Sequence, residues 1–574
     1  MANANRPNVI VIMSDDQGVG DYGFLGNPII RTPHLDAMAK RGGLLNNFYV
    51  SPVCAPTRAC LMTGRYNYRT RCIDTYIGRA MMDPSEYTIA ESLKTADYQT
   101  GIFGKWHLGD NYPMRAMDQG FDESLVHRGG GIGQPSDPVG AERKYTNPTL
   151  MRNGVETQMQ GYCTDIYFDA ATRFIESAIR DDKNFFAYIA TNAPHGPFHD
   201  VPQTLYEQYL QVDFTPILVA KPPKKRMKAE FDKLARISAM ITNIDDNVGR
   251  LFVSLKKQNA LDNTIVVYLN DNGPNTMRYV GKMRGMKSEV DDGGIRSPLL
   301  FHWPARVQPG KSASQMTAHI DLMPTLLDAC NVPLPADRKI DGRSFLPLLT
   351  QDAPQWPSRQ IVLQTHRGNT PQRFHHFALH ETPWKLVHPS GFGKQEFTGE
   401  PKLQLYNLRE DPGQTTDLAQ QQPQVLRRLT RAYEAWFEDV SNTRPDNYAP
   451  PRIVIGTRHE PKTVLTRQDW RHAAGRPWGK DSNGFWLLNN PDAREFQIEV
   501  IMKPGHAGGD ASIIVTTEDG TQSSTDLTIV AGEQRGHMAT VQLPLGDIQL
   551  QINVHVDGKG GKGNITGPHQ VVLR

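Results

Sequence analysis

The stretch Ser51–Tyr66, SPVCAPTRACLMTGRY, sets Cys54, Pro56 and Arg58 in the frame C-x-P-x-R and runs on through Leu61-Met62-Thr63-Gly64-Arg65. Pro56 suits the first turn of a helix, where its missing N–H is not needed. Gly64 suits the C-terminal stop. The frame therefore predicts a short helix with Cys54 at its N-terminal mouth, where free N–H groups and the dipole favour an anion. Arg58 lies four residues on and projects from the same side. A nucleophile and a cation facing one anion would cradle a group such as sulfate. On local grounds alone Cys54 can equally be a small buried hydrophobe, as most free cysteines are.

Working outward from this helix, short apolar runs alternate with helical patterns over residues 1–350. Asn8–Met13, Gln99–Phe103, Asn184–Thr191 and Thr264–Leu269 read as buried strands. Thr88–Ala96, Thr164–Ala178 and Leu234–Leu255 read as helices. This alternation predicts an α/β fold, a mostly parallel sheet covered by helices on both faces. Each strand is followed at once by polar residues: Ser14-Asp15-Asp16, Gly104-Lys105-Trp106-His107, Asn192-Ala193-Pro194-His195 and Asn270-Asp271-Asn272-Gly273. Ligands of open α/β sheets bind beyond the carboxyl ends of the strands, so the four ends predict one shared site.

Taken singly, Asp15-Asp16 would serve as a helix cap and Asp271-Asn272-Gly273 as a turn. Together they offer an all-oxygen donor set for a hard divalent cation, calcium before magnesium because calcium tolerates irregular geometry. No Cys/His cluster with zinc spacing competes. Lys105 and His107 stand two apart and point the same way if the segment is extended. His195 is held between Pro194 and Pro197, and Lys287 lies in RGMKSEVDDGGIRSP.

In sequence order, SPVCAPTRACLMTGRY, GKWHLG, APHGPF and the Lys287 segment resemble the motifs of type I sulfatases, the arylsulfatase-like, formylglycine-dependent members of the alkaline-phosphatase superfamily. The resemblance runs from about Asn8 to Leu349 and continues weakly to about Asp439. It implies that Cys54 is oxidised to formylglycine (3-oxoalanine) by a maturation enzyme, and that sulfate esters are hydrolysed through a calcium-assisted covalent sulfo-enzyme step. It implies Asp15, Asp16, Cys54, Asp271 and Asn272 as metal ligands, with Arg58 and Lys105 holding the hydrated aldehyde. It implies His107 as proton acceptor, His195 as general acid, Lys287 on the sulfate, and Asp271 as a base for the attacking hydroxyl. Thr57 stands where many relatives carry Ser, and Asp291-Asp292 where an aromatic and a Glu are common. The expected enzyme is a bacterial polysaccharide sulfatase, periplasmic or secreted, with its signal peptide removed. A phosphonate or phosphate ester hydrolase of the same superfamily is the alternative. A protein that only binds sulfated glycans, with Cys54 unmatured, is another.

Substrate walls come from loops. Tyr76, Arg79, His127, Arg128, His319, His366, Arg367, Arg373 and His375 are the candidates. Residues 351–447 read as a small antiparallel subdomain closed by a helix over Gln424–Val440, and Arg444–Pro451 as a linker. Residues 448–574 show short strands between Gly-containing turns, the pattern of a β-sandwich, with Lys559–Gly567 as a flexible loop. Trp470, Trp478 and Trp486 would bury a seam or line a sugar site. Lys+Arg 63 against Asp+Glu 61 argues against a nucleic-acid partner, and Lys221–Lys228 reads as a solvated loop. No apolar run approaches the ~18 residues of a membrane span. Five cysteines make no disulfide framework, and their odd number leaves at least one unpaired. The pairing of Cys60, Cys72, Cys163 and Cys330 stays open.

Overall fold

The computed structural model describes residues 6–220, 222–446, 448–474, 477–479, 481–556 and 564–574. Lys221 of the basic run, Asn447 of the expected linker and 559–563 of the expected Gly/Lys loop lie outside them. The centre is an 11-stranded mixed sheet. Its strands include β1 (Asn8–Ser14), β2 (Gly43–Tyr49), β3 (Gln99–Lys105), β4 (Phe185–Ala190), β5 (Thr264–Asn270) and β6 (Arg296–His302). The order across the middle is β2-β6-β5-β1-β4-β3. The four strands read from the sequence, β5, β1, β4 and β3, are neighbours and all parallel. Their carboxyl ends therefore open on one edge of the sheet.

Alternation along β1 shows why both faces must be covered. Val9, Val11 and Met13 enter one fully buried core with Ala55, Leu61, Leu93 and Leu326. Ile10 and Ile12 enter the other, with Tyr167, Phe174, Ile244 and Leu251. Helix α1 (Cys54–Thr63) lies on the first face. Helices α2 (Cys163–Arg180) and α3 (Lys224–Lys257) lie on the second. Helix α3 begins at Lys224, so most of the run expected as a loop forms its first turns, with Lys224, Lys225, Arg226 and Lys228 exposed.

Strands Ile361–Gln364, Phe377–Glu381, Trp384–His388 and Gln404–Asn407 form a separate antiparallel sheet. The helix Pro423–Ser441 seals it, with Tyr433 stacked on Phe377 at 3.8 Å between ring centres. The stretch expected as a linker is tied down. Arg444 bridges Asp83 and Glu86, each at 2.8 Å, and Tyr448 packs on Tyr68.

Beyond it, a seven-stranded and a four-stranded sheet share one core, with Trp470, Trp486, Ile513 and Ile552 meeting Phe496, Ile498 and Val571. Ile77, Met81 and Met114, from the first part of the chain, belong to this same core. The two parts therefore share a packed apolar seam. All five cysteines are free and buried. No described helix is long and apolar enough to cross a membrane.

Candidate active site

Helix α1 ends as its sequence demands: Gly64 sits at φ 68°, in the left-handed region, and its N–H bonds the Cys60 carbonyl at 2.9 Å. Cys54 is the first helical residue and is buried. Thr57 anchors the helix to β5, donating to the Asp271 carbonyl at 2.7 Å. Arg58 reaches the same strand end, with Nη2 2.7 Å from Asp271 Oδ2 and Nη1 donating to the Lys105 carbonyl at 2.8 Å. The helix is thus pinned to the ends of β3 and β5 by the residues of its own motif.

Around it the polar ends converge. Lys105 Nζ lies 2.5 Å from Asp15 Oδ2, and Lys287 Nζ lies 2.5 Å from Asp16 Oδ1. Asn272 Nδ2 donates to Asp16 Oδ1 at 2.9 Å. His195 Nε2 stands 3.7 Å from Asp16 Oδ2. The ligand atoms of Asp15, Cys54 and Asp271 all lie within 4.8 Å of one another. Asp15 Oδ1, Asp16 Oδ2 and Asn272 Oδ1 are buried and bonded to nothing. Buried oxygens without a partner are costly, and a cation beside Asp15, the residue shared by the Cys54–Asp271 and Asp16–His195 groups, would offset that cost. The residues present fit a hard divalent ion.

Electrostatics agree. Burial raises Asp271, and Asp15 beside it raises it further. Burial would also raise Asp16, but Lys287 and His195 outweigh it and hold that carboxyl below its usual range. Burial opposes the charge on Lys287, yet Asp16 and its neighbours keep the ammonium charged. Arg58, Lys105 and Lys287 face three carboxylates, so the cluster is neutral alone and would gain two positive charges with a divalent cation. Burial lifts the Cys54 thiol above its ordinary range against the pull of Lys105 and Lys287. A thiol so held is a poor nucleophile as it stands.

The two histidines differ. His107 Nε2 bonds the Thr75 carbonyl at 2.8 Å, so Nε2 carries the proton and donates. Its buried Nδ1 has no partner. Burial and then Lys105 push His107 well below the usual imidazole range, leaving it neutral with a bare Nδ1. His195 uses Nδ1 on the Gly196 carbonyl at 2.6 Å and turns Nε2 toward Asp16. Asp16 (φ 64°) and His107 (φ 60°) both adopt the left-handed conformation, uncommon outside glycine and frequent at functional sites.

The candidate substrate residues divide. Tyr76 and Arg367 form one wall beside Thr75, with the guanidinium 4.0 Å from the ring centre and 2.6 Å from Asp74. Arg79 is fully buried there, and Arg128 is nearly so. His127 is paired with Asp137 at 3.0 Å. The structure does not bring the other four to the cluster. His319 spends its nitrogens on Ser51 and the Ile320 N–H. His366 and His375 stack on each other at 4.0 Å, and both nitrogens of each are bonded within the small subdomain. Arg373 lies on the surface against Glu438. The three histidines spend their nitrogens on neighbouring groups, and Arg373 forms a surface ion pair.

Sequence reasoning missed Thr75, Gln468 and the run Gly129–Gly133. The glycines gave a signal. A Cβ on Gly130 would sit 2.6 Å from His107 Nε2, and one on Gly131 would sit 2.9 Å from His195 Cε1. The loop thus passes over both histidines with no room for side chains. Gln468 gave none, because nothing local ties it to a site almost four hundred residues away.

The Sulfatase family profile matches residues 7–332, and that of the N-sulphoglucosamine sulphohydrolase C-terminal region matches 286–436. An N-acetylgalactosamine-6-O-sulfatase of Bacteroides thetaiotaomicron is 27% identical over 515 residues, covering 75% of this chain and 93% of its own. The human N-acetylgalactosamine-6-sulfatase is 28% identical, covering 78% and 90%. Among solved structures, Ps i-CgsB in complex with k-i-k-neocarrahexaose shares 27% identity at a TM-score of 0.64, covering 76% of this chain and 94% of that one. The phosphonate monoester hydrolase of Agrobacterium radiobacter shares the fold alone, at 18% identity and a TM-score of 0.54. The chain belongs to the sulfatase family and is a sulfuric ester hydrolase.

Proposed function

We propose that this enzyme removes sulfate from a sulfated carbohydrate, with calcium, or magnesium as second choice, held by Asp15, Asp16, Asp271, Asn272 and the side chain at position 54. The observation that carries the reading is the convergence on Asp15 of Cys54 and Asp271 at the mouth of α1 and of Asp16 and His195, with one buried oxygen each of Asp15, Asp16 and Asn272 left without a hydrogen bond. A carbohydrate substrate is supported by the relatives named N-acetylgalactosamine-6-O-sulfatase and N-acetylgalactosamine-6-sulfatase and by the structure in complex with k-i-k-neocarrahexaose. Action outside the cytoplasm and maturation by a separate enzyme belong to the same proposal.

The bound cation would neutralise the sulfuryl oxygens, and oxidation of Cys54 would supply a hydrated aldehyde in place of the inert thiol. The chain's own groups do the rest. Lys105 and Lys287 hold the sulfate oxygens, and Arg58 fixes the helix mouth that faces them, a preorganised clamp for a group that stays anionic throughout. Asp271 accepts the proton of the attacking hydroxyl. His195 Nε2, free of other partners, protonates the departing alcohol. His107 Nδ1, bare in the tautomer that Thr75 enforces, accepts the proton whose loss lets sulfate leave.

Peptide mass at Cys54, with turnover of a panel of sulfated mono- and oligosaccharides and matching phosphonate esters, tests the reading. The matured form should carry the aldehyde mass and prefer the sulfates. Cys54→Ala and Cys54→Ser should fold and be inactive. Wild-type turnover by Cys54→Ala would reject the nucleophile, and faster phosphonate hydrolysis would reject the substrate class.

A further inference from the structure

The C-terminal sandwich reaches into the catalytic cluster. Trp486 Nε1 donates to the Thr466 carbonyl at 2.8 Å and holds the turn that follows, in which Gln468 is buried. The Gln468 carbonyl accepts the Gly78 N–H at 3.0 Å, and Arg471 Nη1 donates to the Ile77 carbonyl at 2.7 Å. Gly78 lies at φ 70°, and a Cβ there would sit 2.8 Å from the Asp469 carbonyl oxygen. The two segments of this seam are therefore in backbone contact. From that anchored position Gln468 Nε2 donates to the Thr75 carbonyl at 2.8 Å and lies 3.4 Å from His107 Nε2.

The geometry points to Gln468 as a positioning residue for His107, supplied to the active site by the sandwich. The Thr75 carbonyl has two lone pairs. One takes the His107 Nε2 proton, the other the Gln468 amide proton. Gln468 thereby fixes the direction of the carbonyl that sets the His107 tautomer and closes the space behind the ring. With the amide removed, the carbonyl can swing and the ring can turn or change tautomer, so Nδ1 no longer faces its task. The inference rests on His107 being the proton acceptor of the reaction.

The test uses full-length protein with Gln468→Met, which keeps length and bulk but has no hydrogen bonds to give, and Gln468→Ala. Nitrogen-15 spectra of histidine-labelled protein, with the His107 signals assigned by their loss in His107→Asn, read the tautomer directly and need no matured Cys54. We expect a single Nε2–H form in the wild type and a tautomer mixture in both variants. We also expect kcat per matured site to fall about tenfold with KM little changed, the scale of one lost hydrogen bond. Unchanged His107 signals, or kcat unchanged while melting temperature falls, would overturn the inference and make Gln468 a packing residue. Should His107→Asn itself turn over normally, the underlying role of His107 fails instead. Should Gln468→Ala fold poorly, Gln468→Met still decides the matter.

Discussion

Asp271 joins three functions in one side chain: it bonds Arg58 through Oδ2, the Asp16 N–H through Oδ1, and faces Cys54 within ligand distance of Asp15. Truncating it takes from the buried Arg58 cation its nearer carboxylate, leaving Asp15 at 3.9 Å, and removes an oxygen donor. Asp271→Ala should lose both metal and activity, as read by elemental analysis and turnover. Stoichiometric zinc in the wild type, or a fully active variant, would remove the site as drawn. For the wild type, calcium at a hundred times its Kd should stabilise the fold by about 2.7 kcal/mol relative to chelated protein. An unchanged melting temperature on chelation would contradict that. His195 offers a finer test, since only its Nε2 is free to give a proton. His195→Ala should lower kcat by ~100-fold or more on sugar sulfates and much less on nitrophenyl sulfate, whose leaving group needs little protonation. Equal losses would argue against a general acid.

The small antiparallel sheet and the segments packed on it hold histidines that are neutral in the native state. Burial pushes His319, His366 and His380 down to about 3 from an ordinary value of 6.5. Below pH 6.5 the unfolded chain binds these protons and the native chain does not, so stability must fall as pH drops toward about 3. His302, His376 and His569, pushed down by burial to about 4, act the same way, while Asp245, pushed up by burial to about 6, and buried acids such as Glu86 and Asp469, also raised by burial, act the other way. With chelator present to exclude metal effects, the urea midpoint should be lower at pH 5.5 than at pH 7.5. Equal midpoints would show that these rings can reach water. At this scale the sequence was legible where chemistry and periodicity coincided. β1, β3, β4 and β5 are apolar runs that stop at Asp15, Lys105, His195 and Asp271, and the sheet sets them side by side. His319, His366 and His375 were not legible, because a histidine that spends both nitrogens on its neighbours looks in sequence like one that spends them on substrate. Nor was Gln468, whose partner Thr75 is fixed only by how two sheets pack against the catalytic unit.

At the scale of the whole molecule, the two sheets whose strands run from Ile453–Val454 to Gln570–Leu573 pack against the catalytic part of the chain. Trp470 and Trp486 are fully buried in their core, 5.9 Å apart between ring centres. Trp478 meets Tyr76 edge-on at 5.2 Å, beside the Arg367 stack. Ile77, Met81 and Met114 cross the seam into the same core. Exposing three such side chains costs about 1.5–3 kcal/mol each, a total comparable with the net stability of a domain. A chain ended after Asn447 keeps every assigned metal and catalytic residue yet loses this cover, the Trp478 contact and Gln468. It should be less soluble or melt well below the full chain. Its soluble fraction should also turn over nitrophenyl sulfate more slowly, although that substrate offers no sugar to bind. A truncated protein with full stability and wild-type turnover of nitrophenyl sulfate, but no affinity for a sulfated polysaccharide, would make the sandwich a detachable glycan-binding module instead.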